Sequence, residues 1–344
     1  MIIVLKQNTK QEEIDNVIRL VEEKGLKPVP FQGVERTVVH VQGDVRAESN
    51  NFASLDCVEK VVKILKPFKL ASREHHAETT VIKIENSLGI DVSIGNGEFV
   101  MIAGPCSAES EDQLMKAAKL LKEMGVKIMR ASVFKPRTSP YDFQGMGIEG
   151  LKLLKKVRDK VGILVETEVM DVRDVRIAAE HVDILRVGAR NMQNFDLLKE
   201  MGKINKPVIL KRGSAATIKE FLMAAEYILA NGNKNVILCE RGIRTFETAY
   251  RNTLDINAVA LLKRETHLPV IVDPSHSAGI REIIAPISKA AAAVGADGLL
   301  VEMHPNPEEA LCDGAQSLHP HQLAKLLGEL KPVCEAVGRK IMLN

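Results

Sequence analysis

The residues of this chain that could do chemistry are single ionisable side chains, each at or just after the end of a short apolar run. Six cations recur in such places: Arg130, Lys135, Arg137, Arg190, Lys211 and Arg241. In a chain whose formal charge is only +2, cations gathered this way repel one another unless anions sit between them. Arginine suits bidentate contact with carboxylate or phosphate, and lysine acts as a point charge. Two phosphorylated or carboxylated substrates follow as the expectation; the competing reading is a rim of charges that only solvates loop ends. A second set, Cys106, His276, Glu302 and Asp313, offers one sulfur, one nitrogen and carboxylate oxygens. That mixture suits a divalent transition ion, Mn2+, Fe2+, Co2+ or Zn2+, and not Ca2+ or Mg2+. No short-spaced metal motif links the four, so only the fold can bring them together.

Cys106 taken alone reads as a small buried hydrophobe; its company changes that reading. The five cysteines are scattered and form no CxxC pair, which argues against a disulfide framework. Cys239 and Cys334 read as packing residues, Cys312 beside Asp313 stays open, and His75 and His76 read as solvated. His304, two residues beyond Glu302 and so on the same strand face, could orient a ligand or carry a proton. Glu166 and Glu168 are candidate proton acceptors.

The elements that must position these residues are regular. From Phe99 onward, eight strand-like runs, "FVMIAG", "KIMRA", "ILVETE", "DILRV", "PVILK", "NVILCE", "PVIVD" and "GLLVE", alternate with segments such as "EDQLMKAAKLLKEMG" and "TIKEFLMAAEYILANG". The order predicts a (β/α)8 TIM barrel, in which the site lies at the carboxyl ends of the strands. No GxGxxG follows the first strand, which sets aside a dinucleotide-binding sheet. Strands one and eight adjoin in a closed barrel and seven adjoins eight, so the four candidate ligands can converge.

Residues 1–66 read as β-α-β-β-α-β, a small α+β ferredoxin-like domain, its first helix capped by Asn8 or Thr9 and its second near Val45 to Leu55. Residues 67–78 read as a polar linker, and 79–344 as the barrel preceded by a hairpin formed by "TVIKI" and "GIDVSIGNG". With 45% hydrophobic, 27% charged and 3% aromatic residues, a nucleic-acid surface is not indicated. No apolar run reaches the roughly 20 residues needed to cross a membrane, and "MIIVLKQNTK" lacks the pattern of a signal peptide, so a cytoplasmic location is expected.

The motifs "AGPCSAE", "KPRTSPYDFQG", "GARNMQNF", "LKRG", "CERGIRTFE", "DPSHS" and "VEMHPNPEEALCDGAQSL" together resemble the 3-deoxy-D-arabino-heptulosonate 7-phosphate (DAHP) synthase family, the class with an N-terminal ferredoxin-like regulatory domain. "KPRTS" is the most specific of them, since the sister octulosonate 8-phosphate synthases have an asparagine in that loop. The resemblance implies condensation of phosphoenolpyruvate with erythrose 4-phosphate, the first step of the shikimate pathway. It implies Cys106, His276, Glu302 and Asp313 as metal ligands, and Arg130, Lys135, Arg190, Lys211 and Arg241 around phosphoenolpyruvate. Arg137, Thr138 and Ser139 would face erythrose 4-phosphate. Lys135 is the candidate proton donor to the aldehyde oxygen, and His304 the other candidate catalytic group. Cys106 is then a thiolate ligand and not a nucleophile. A homo-oligomer, a tetramer by analogy, and an aromatic amino acid effector are further implications. Two departures stand out. Arg130-Ala131-Ser132-Val133-Phe134 replaces a Gly-Gly-Ala-Phe pattern, and Arg186 stands where glutamine is usual, free to alter substrate affinity or to pair with Glu166 or Glu168. The rival readings are an octulosonate 8-phosphate synthase using arabinose 5-phosphate and an inactive ligand-sensing barrel.

Overall fold

The computed structural model describes residues 1–33, 36–43, 52–62, 67–86 and 88–343. They form two compact units, Met1–Lys69 and Leu70–Asn344.

In the first unit, strands β1 (Ile2–Leu5), β2 (Lys27–Gln32), β3 (Thr37–Gln42) and β4 (Val58–Val62) make an antiparallel sheet in the order β2-β3-β1-β4. Helix α1 (Gln11–Glu23) buries Ile14, Val17 and Val21, residues spaced three and four apart, in one core with Ile3, Leu5, Val39 and Val41. Neither expected cap forms. Asn8 turns the chain with φ of 60°, and the Thr9 hydroxyl donates to the Lys6 carbonyl at 2.7 Å. The helix instead starts after Lys10, whose N–H donates to the Glu13 carboxylate at 3.0 Å. The second helix expected in this unit falls largely on 44–51, outside the described residues.

The second unit begins by departing from the expected linker. The Leu70 and Ala71 N–H groups donate to the Glu226 carboxylate at 2.8 and 2.9 Å. The Arg73 N–H donates to the Glu265 carbonyl at 3.0 Å, and His267 bridges the Leu70 carbonyl and the Thr80 hydroxyl, both at 2.7 Å. The polarity that suggested a free linker belongs to groups that tie the segment down. The hairpin β5 (Ile82–Glu85) and β6 (Asp91–Ile94) follows.

Eight parallel strands then close on themselves: β7 (Glu98–Gly104), β8 (Ile128–Arg130), β9 (Leu164–Val169), β10 (Ile184–Val187), β11 (Val208–Lys211), β12 (Val236–Glu240), β13 (Val270–Val272) and β14 (Gly298–Glu302), which pairs with β7. The helices between and after them are α2 (Glu111–Glu123), α3 (Gly147–Val161), α4 (Val175–His181), α5 (Phe195–Met201), α6 (Ile218–Ala230), α7 (Ile256–Glu265), α8 (Pro274–Ala278), α9 (Arg281–Ala293) and α10 (Pro320–Ala336). A final strand, β15 (Lys340–Met342), lies along the start of β7.

The interior is layered, and the layering positions the site. Ile102, Ile128, Leu164, Ile184, Ile209, Ile237, Ile271 and Leu300 form a buried apolar layer, and Ile82, Ile84, Val92 and Ile94 of the hairpin belong to the same core cluster. Side chains alternate along a strand, so the next inward position is two residues on. There stand Gly104, Arg130, Glu166, Arg186, Lys211, Cys239, Asp273 and Glu302. An aliphatic floor thus gives way within one step to a nearly complete ring of charge.

Candidate active site

The four candidate ligands meet at that ring, to which Glu302 itself belongs. One sulfur, nitrogen or oxygen atom of each of Cys106, His276, Glu302 and Asp313 lies within 4.8 Å of all the others. Cys106 reaches the cluster because β7 ends in Gly104, with φ of 148° and a backbone so near β8 that a Cβ would meet the Arg130 carbonyl oxygen at 2.3 Å. His276 lies in α8, whose N-cap is Asp273. One Asp273 oxygen accepts the His276 N–H at 2.8 Å, the other contacts its ring Nδ1 at 2.8 Å, and Nε2 faces the cluster. Glu302 ends β14. Asp313 holds a left-handed backbone, φ 54° and ψ 31°, which an L-residue adopts at a cost of order 1–3 kcal/mol.

This donor set fits a cation. Among the described residues, Glu302 Oε1 is buried with no hydrogen-bond partner, 3.3 Å from His276 Nε2 and 3.3 Å from Arg130 Nη1. Burial lowers the His276 pKa to about 4, against the opposing pull of Asp273, so its imidazole is neutral and free to ligate. Burial and the 3.3 Å contact with Cys312 push the Cys106 thiol up, and a bound cation is what would make it a thiolate. Asp313 is held low despite burial, by His276 and Arg251.

Lys135, Arg190, Lys211 and Arg241 line a cavity of about 200 Å3 that opens beside the cluster, with Arg137 and Thr138 on its loop side. Lys135 Nζ lies 3.0 Å from Cys106 Sγ. It is held above its ordinary value; burial works against the charge, but Cys106 and Cys312 outweigh it. Lys211 is lowered by burial, with Asp273, its salt-bridge partner, acting the other way. Arg241 is lowered by burial as well. A second cavity of about 230 Å3 shares Arg190, Arg241 and Arg251 with the first and adds Arg244, Ser214 and Asn252.

Three expected site residues lie elsewhere. Arg130 is fully buried in the ring beneath the cavity, its Nη2 donating to the Cys106 carbonyl at 2.9 Å; the strand end points it inward, under the metal cluster. Ser139 sits in a turn, its hydroxyl accepting the Tyr141 N–H at 3.3 Å. His304 is buried outside the cavity lining, with Nδ1 accepting the Asn306 N–H at 3.0 Å and Nε2 3.5 Å from the Glu109 carboxylate.

Other residues gain positions that their place in the chain does not advertise. Arg186 donates to Glu166 at 2.7 Å, Glu168 at 3.1 Å and the Ser132 hydroxyl at 2.6 Å, so it pairs with both carboxylates. Cys312 accepts a contact from Arg137 Nη1 at 2.7 Å. Gln316 donates to Glu302 Oε2. Asp273 serves both His276 and Lys211. For Arg186 the sequence offered pairing with Glu166 or Glu168 as one of two readings; for Cys312, Gln316 and Asp273 the one sequence signal was their place after the ends of strands.

The family model described as "DAHP synthetase I family" matches residues 76–337, and the one described as "DAHP synthase ferredoxin-like domain" matches residues 1–66. A phospho-2-dehydro-3-deoxyheptonate aldolase of Thermotoga maritima is 53% identical over 342 residues, 99% of this chain and 100% of that protein. A crystal structure of the Thermotoga maritima DAHP synthase superposes with a TM-score of 0.77 at 51% identity, covering 99% of this chain and 98% of that one. A 2-dehydro-3-deoxyphosphooctonate aldolase of Syntrophotalea carbinolica is 36% identical over 258 residues, 70% of this chain and 92% of its own. No described helix is long and apolar enough to cross a membrane.

Proposed function

The chain belongs to the DAHP synthetase I family, enzymes of the 3-deoxy-7-phosphoheptulonate synthase class, and we propose that it condenses phosphoenolpyruvate with erythrose 4-phosphate on one divalent transition metal ion, releasing phosphate. The observation that carries this reading is the contact between the two constellations: Lys135 both lines the cation-rich cavity and touches Cys106 of the metal cluster. A polyanion bound by the cations is thereby held next to whatever the cluster polarises.

Arg190, Lys211 and Arg241 neutralise the phosphate and carboxylate of phosphoenolpyruvate, and fixing both ends aligns the enol carbon. Arg137 and Thr138 take the second phosphate on the loop side; Ser139 would join them only if its turn rearranged. Arg130 supports Glu302 and the Cys106 backbone from below. The metal, held by Cys106, His276, Glu302 and Asp313, supplies Lewis acidity and orientation when bound; Mn2+, Fe2+, Co2+ and Zn2+ all suit the donors. Lys135, protonated, is placed to give its proton to an aldehyde oxygen at the cluster. Glu168, which lines the cavity and stays below its ordinary value because Arg186 and Lys135 outweigh burial, is the nearer of the two carboxylates to accept a proton from an attacking water. The front unit is read as a sensor of an aromatic amino acid, the assembly as a homo-oligomer, and the location as cytoplasmic.

The test is phosphate release from phosphoenolpyruvate with erythrose 4-phosphate or arabinose 5-phosphate offered separately, before and after chelation and Mn2+ return. Erythrose-dependent, chelator-sensitive release is expected. Release with arabinose 5-phosphate alone would move the chain to the octonate aldolases, and none with either would end the reading. Deleting residues 1–66 should leave turnover and abolish amino acid inhibition; persisting inhibition would put the effector site in the barrel.

A further inference from the structure

Arg251 joins the metal-ligand cluster to the second, arginine-lined cavity. Its Nη1 donates to Gln316 Oε1 at 2.8 Å and lies 3.6 Å from Asp313 Oδ1. Gln316 passes its own amide hydrogen to Glu302 Oε2, so one guanidinium bears on two of the four ligands. The backbone makes the same connection to a third. The Arg251 N–H donates to the Ala278 carbonyl at 3.0 Å, the Asn252 N–H to the Ser277 carbonyl at 2.8 Å, and the Asn252 amide to the His276 carbonyl at 3.0 Å. Gly279, with φ of 68°, makes this approach possible, because a Cβ there would stand 2.5 Å from the Arg251 Cβ.

Arg251 lines the first cavity beside Asp313 and His276, and it also lines the second, whose wall includes Arg190, Arg241, Arg244, Ser214 and Asn252 and, among the described residues, no carboxylate. Arg241 is only 8% exposed, and among the described residues it has neither a hydrogen bond nor an ion pair. A buried guanidinium without a partner is costly unless a ligand completes it. The chemistry that completes it is a tetrahedral polyanion, which arginines grip bidentately.

We propose that Arg251 couples the two places, so that a divalent cation in the cluster and a phosphate-type anion in the second cavity favour each other's binding. With the cluster empty of cation, Arg251 is the positive charge facing Asp313 from this side. A cation takes over that duty and leaves the guanidinium to the anion. An anion that engages Arg251 first withdraws positive charge from Asp313 and leaves the cluster more attractive to a cation. Linkage makes the two effects equal in size. The inference deepens the reading above, since the anion is of the class that reaction binds and releases, but it needs no turnover to be seen.

The experiment measures free Mn2+ by electron paramagnetic resonance during titration of the full chain, with and without inorganic phosphate, against a protein-free control for Mn2+-phosphate complexes. Phosphate should tighten Mn2+ binding about tenfold, and Mn2+ should tighten phosphate binding by the same factor. In Arg251→Gln the factor should fall to about one; Arg244→Gln, which touches the cavity and no ligand, should weaken phosphate and keep the factor. Arg251→Lys guards against a variant that does not fold: it keeps the charge, loses the fork, and should give a factor under about three. A factor of one in the unaltered chain, or an undiminished factor in Arg251→Gln or Arg251→Lys, overturns the proposal. Because neither organic substrate is present, failure of the catalytic reading would appear only in the phosphate-release assay, and failure of the coupling only here.

Discussion

Arg212 and Arg241 follow neighbouring strands, β11 and β12, and both are buried, at 4% and 8% exposure, yet they are opposites. Arg212 donates to Glu240, Asp255 and the Ala216 carbonyl, each at 2.9 Å. Burial would lower its pKa, but Glu240 holds it above its ordinary value. Arg241 has no such partner among the described residues, and burial lowers it. A related contrast separates Arg186, which reaches the first cavity but is buried and makes three hydrogen bonds to Glu166, Glu168 and Ser132, from Arg190 four residues later, which is exposed and lines both cavities. The fold balances some of its buried cations internally and leaves others to be balanced from outside. That is the physical difference between a charge that builds the barrel and one that binds.

The sharpest way to break this comparison is to remove the same charge from both sides. Arg212→Met leaves Glu240 buried beside Asp255 without its cation and should destabilise the protein by about 3–5 kcal/mol, with little change in affinity for phosphoenolpyruvate in whatever fraction remains folded. Arg241→Met removes an uncompensated charge, so its melting temperature should hold or rise, while KM for phosphoenolpyruvate should rise about 10- to 100-fold, the loss of one charged hydrogen-bonding partner at roughly 1.5–3 kcal/mol. Thermal melts and steady-state kinetics on the two variants decide it. If both lose stability alike, the distinction between structural and binding cations is wrong.

This distinction is also where the sequence was and was not legible. The eight barrel strands could be read because apolar runs of five or six residues alternate with amphipathic segments, and all but one of the runs end in a charged or small residue. Cys106, His276, Glu302 and Asp313 could be grouped because closure makes the first and last strands neighbours, and they lie together. Which cation faces the cavity was not legible. Arg130 and Lys211 both end strands, but Arg130 is spent on Glu302 and the Cys106 carbonyl, whereas Lys211 lines the cavity. Arg251 and Gln316 gave no signal, because their meaning lies in a contact 65 residues apart in the chain. The polar stretch from Leu70 misled for a related reason, since composition does not tell a polar group that meets water from one that meets Glu226.

Arg186 offers a second, smaller test. It sits opposite Glu168 in the β10–β9 register, bonds Glu166 and Glu168 together, and leaves Glu166 Oε2 buried without a hydrogen-bond partner among the described residues. If Glu166 is there to balance Arg186, then Arg186→Gln and Glu166→Gln should each destabilise, and the double variant should recover much of the loss, with a coupling of about 2–3 kcal/mol. The readout that a merely structural pair would not move is the pH profile of turnover. Losing Arg186 removes the cation that holds Glu168 low, so the acidic limb assigned to Glu168 should shift to higher pH. Additive losses with an unshifted limb would show that the pair does not set the state of Glu168.

The smallest effect belongs to the opposite end of the barrel unit, where a neutral histidine acts as a staple. His267 bridges the Leu70 carbonyl and the Thr80 hydroxyl, is 6% exposed, and has its pKa lowered by burial to about 4. Unfolded, it would titrate near the ordinary value of about 6.5. Between those values the unfolded chain binds the extra proton, so stability rises with pH there and is lost as pH falls from about 6.5 towards 4. The contribution lost between pH 7 and about 5 is of order 2 kcal/mol. Glutamine at this position can donate to the Leu70 carbonyl and does not titrate, so His267→Gln should flatten that part of the stability curve while leaving turnover alone. Denaturant melts across this range compare the two curves, and identical slopes would mean that the acid sensitivity of the barrel comes from other groups.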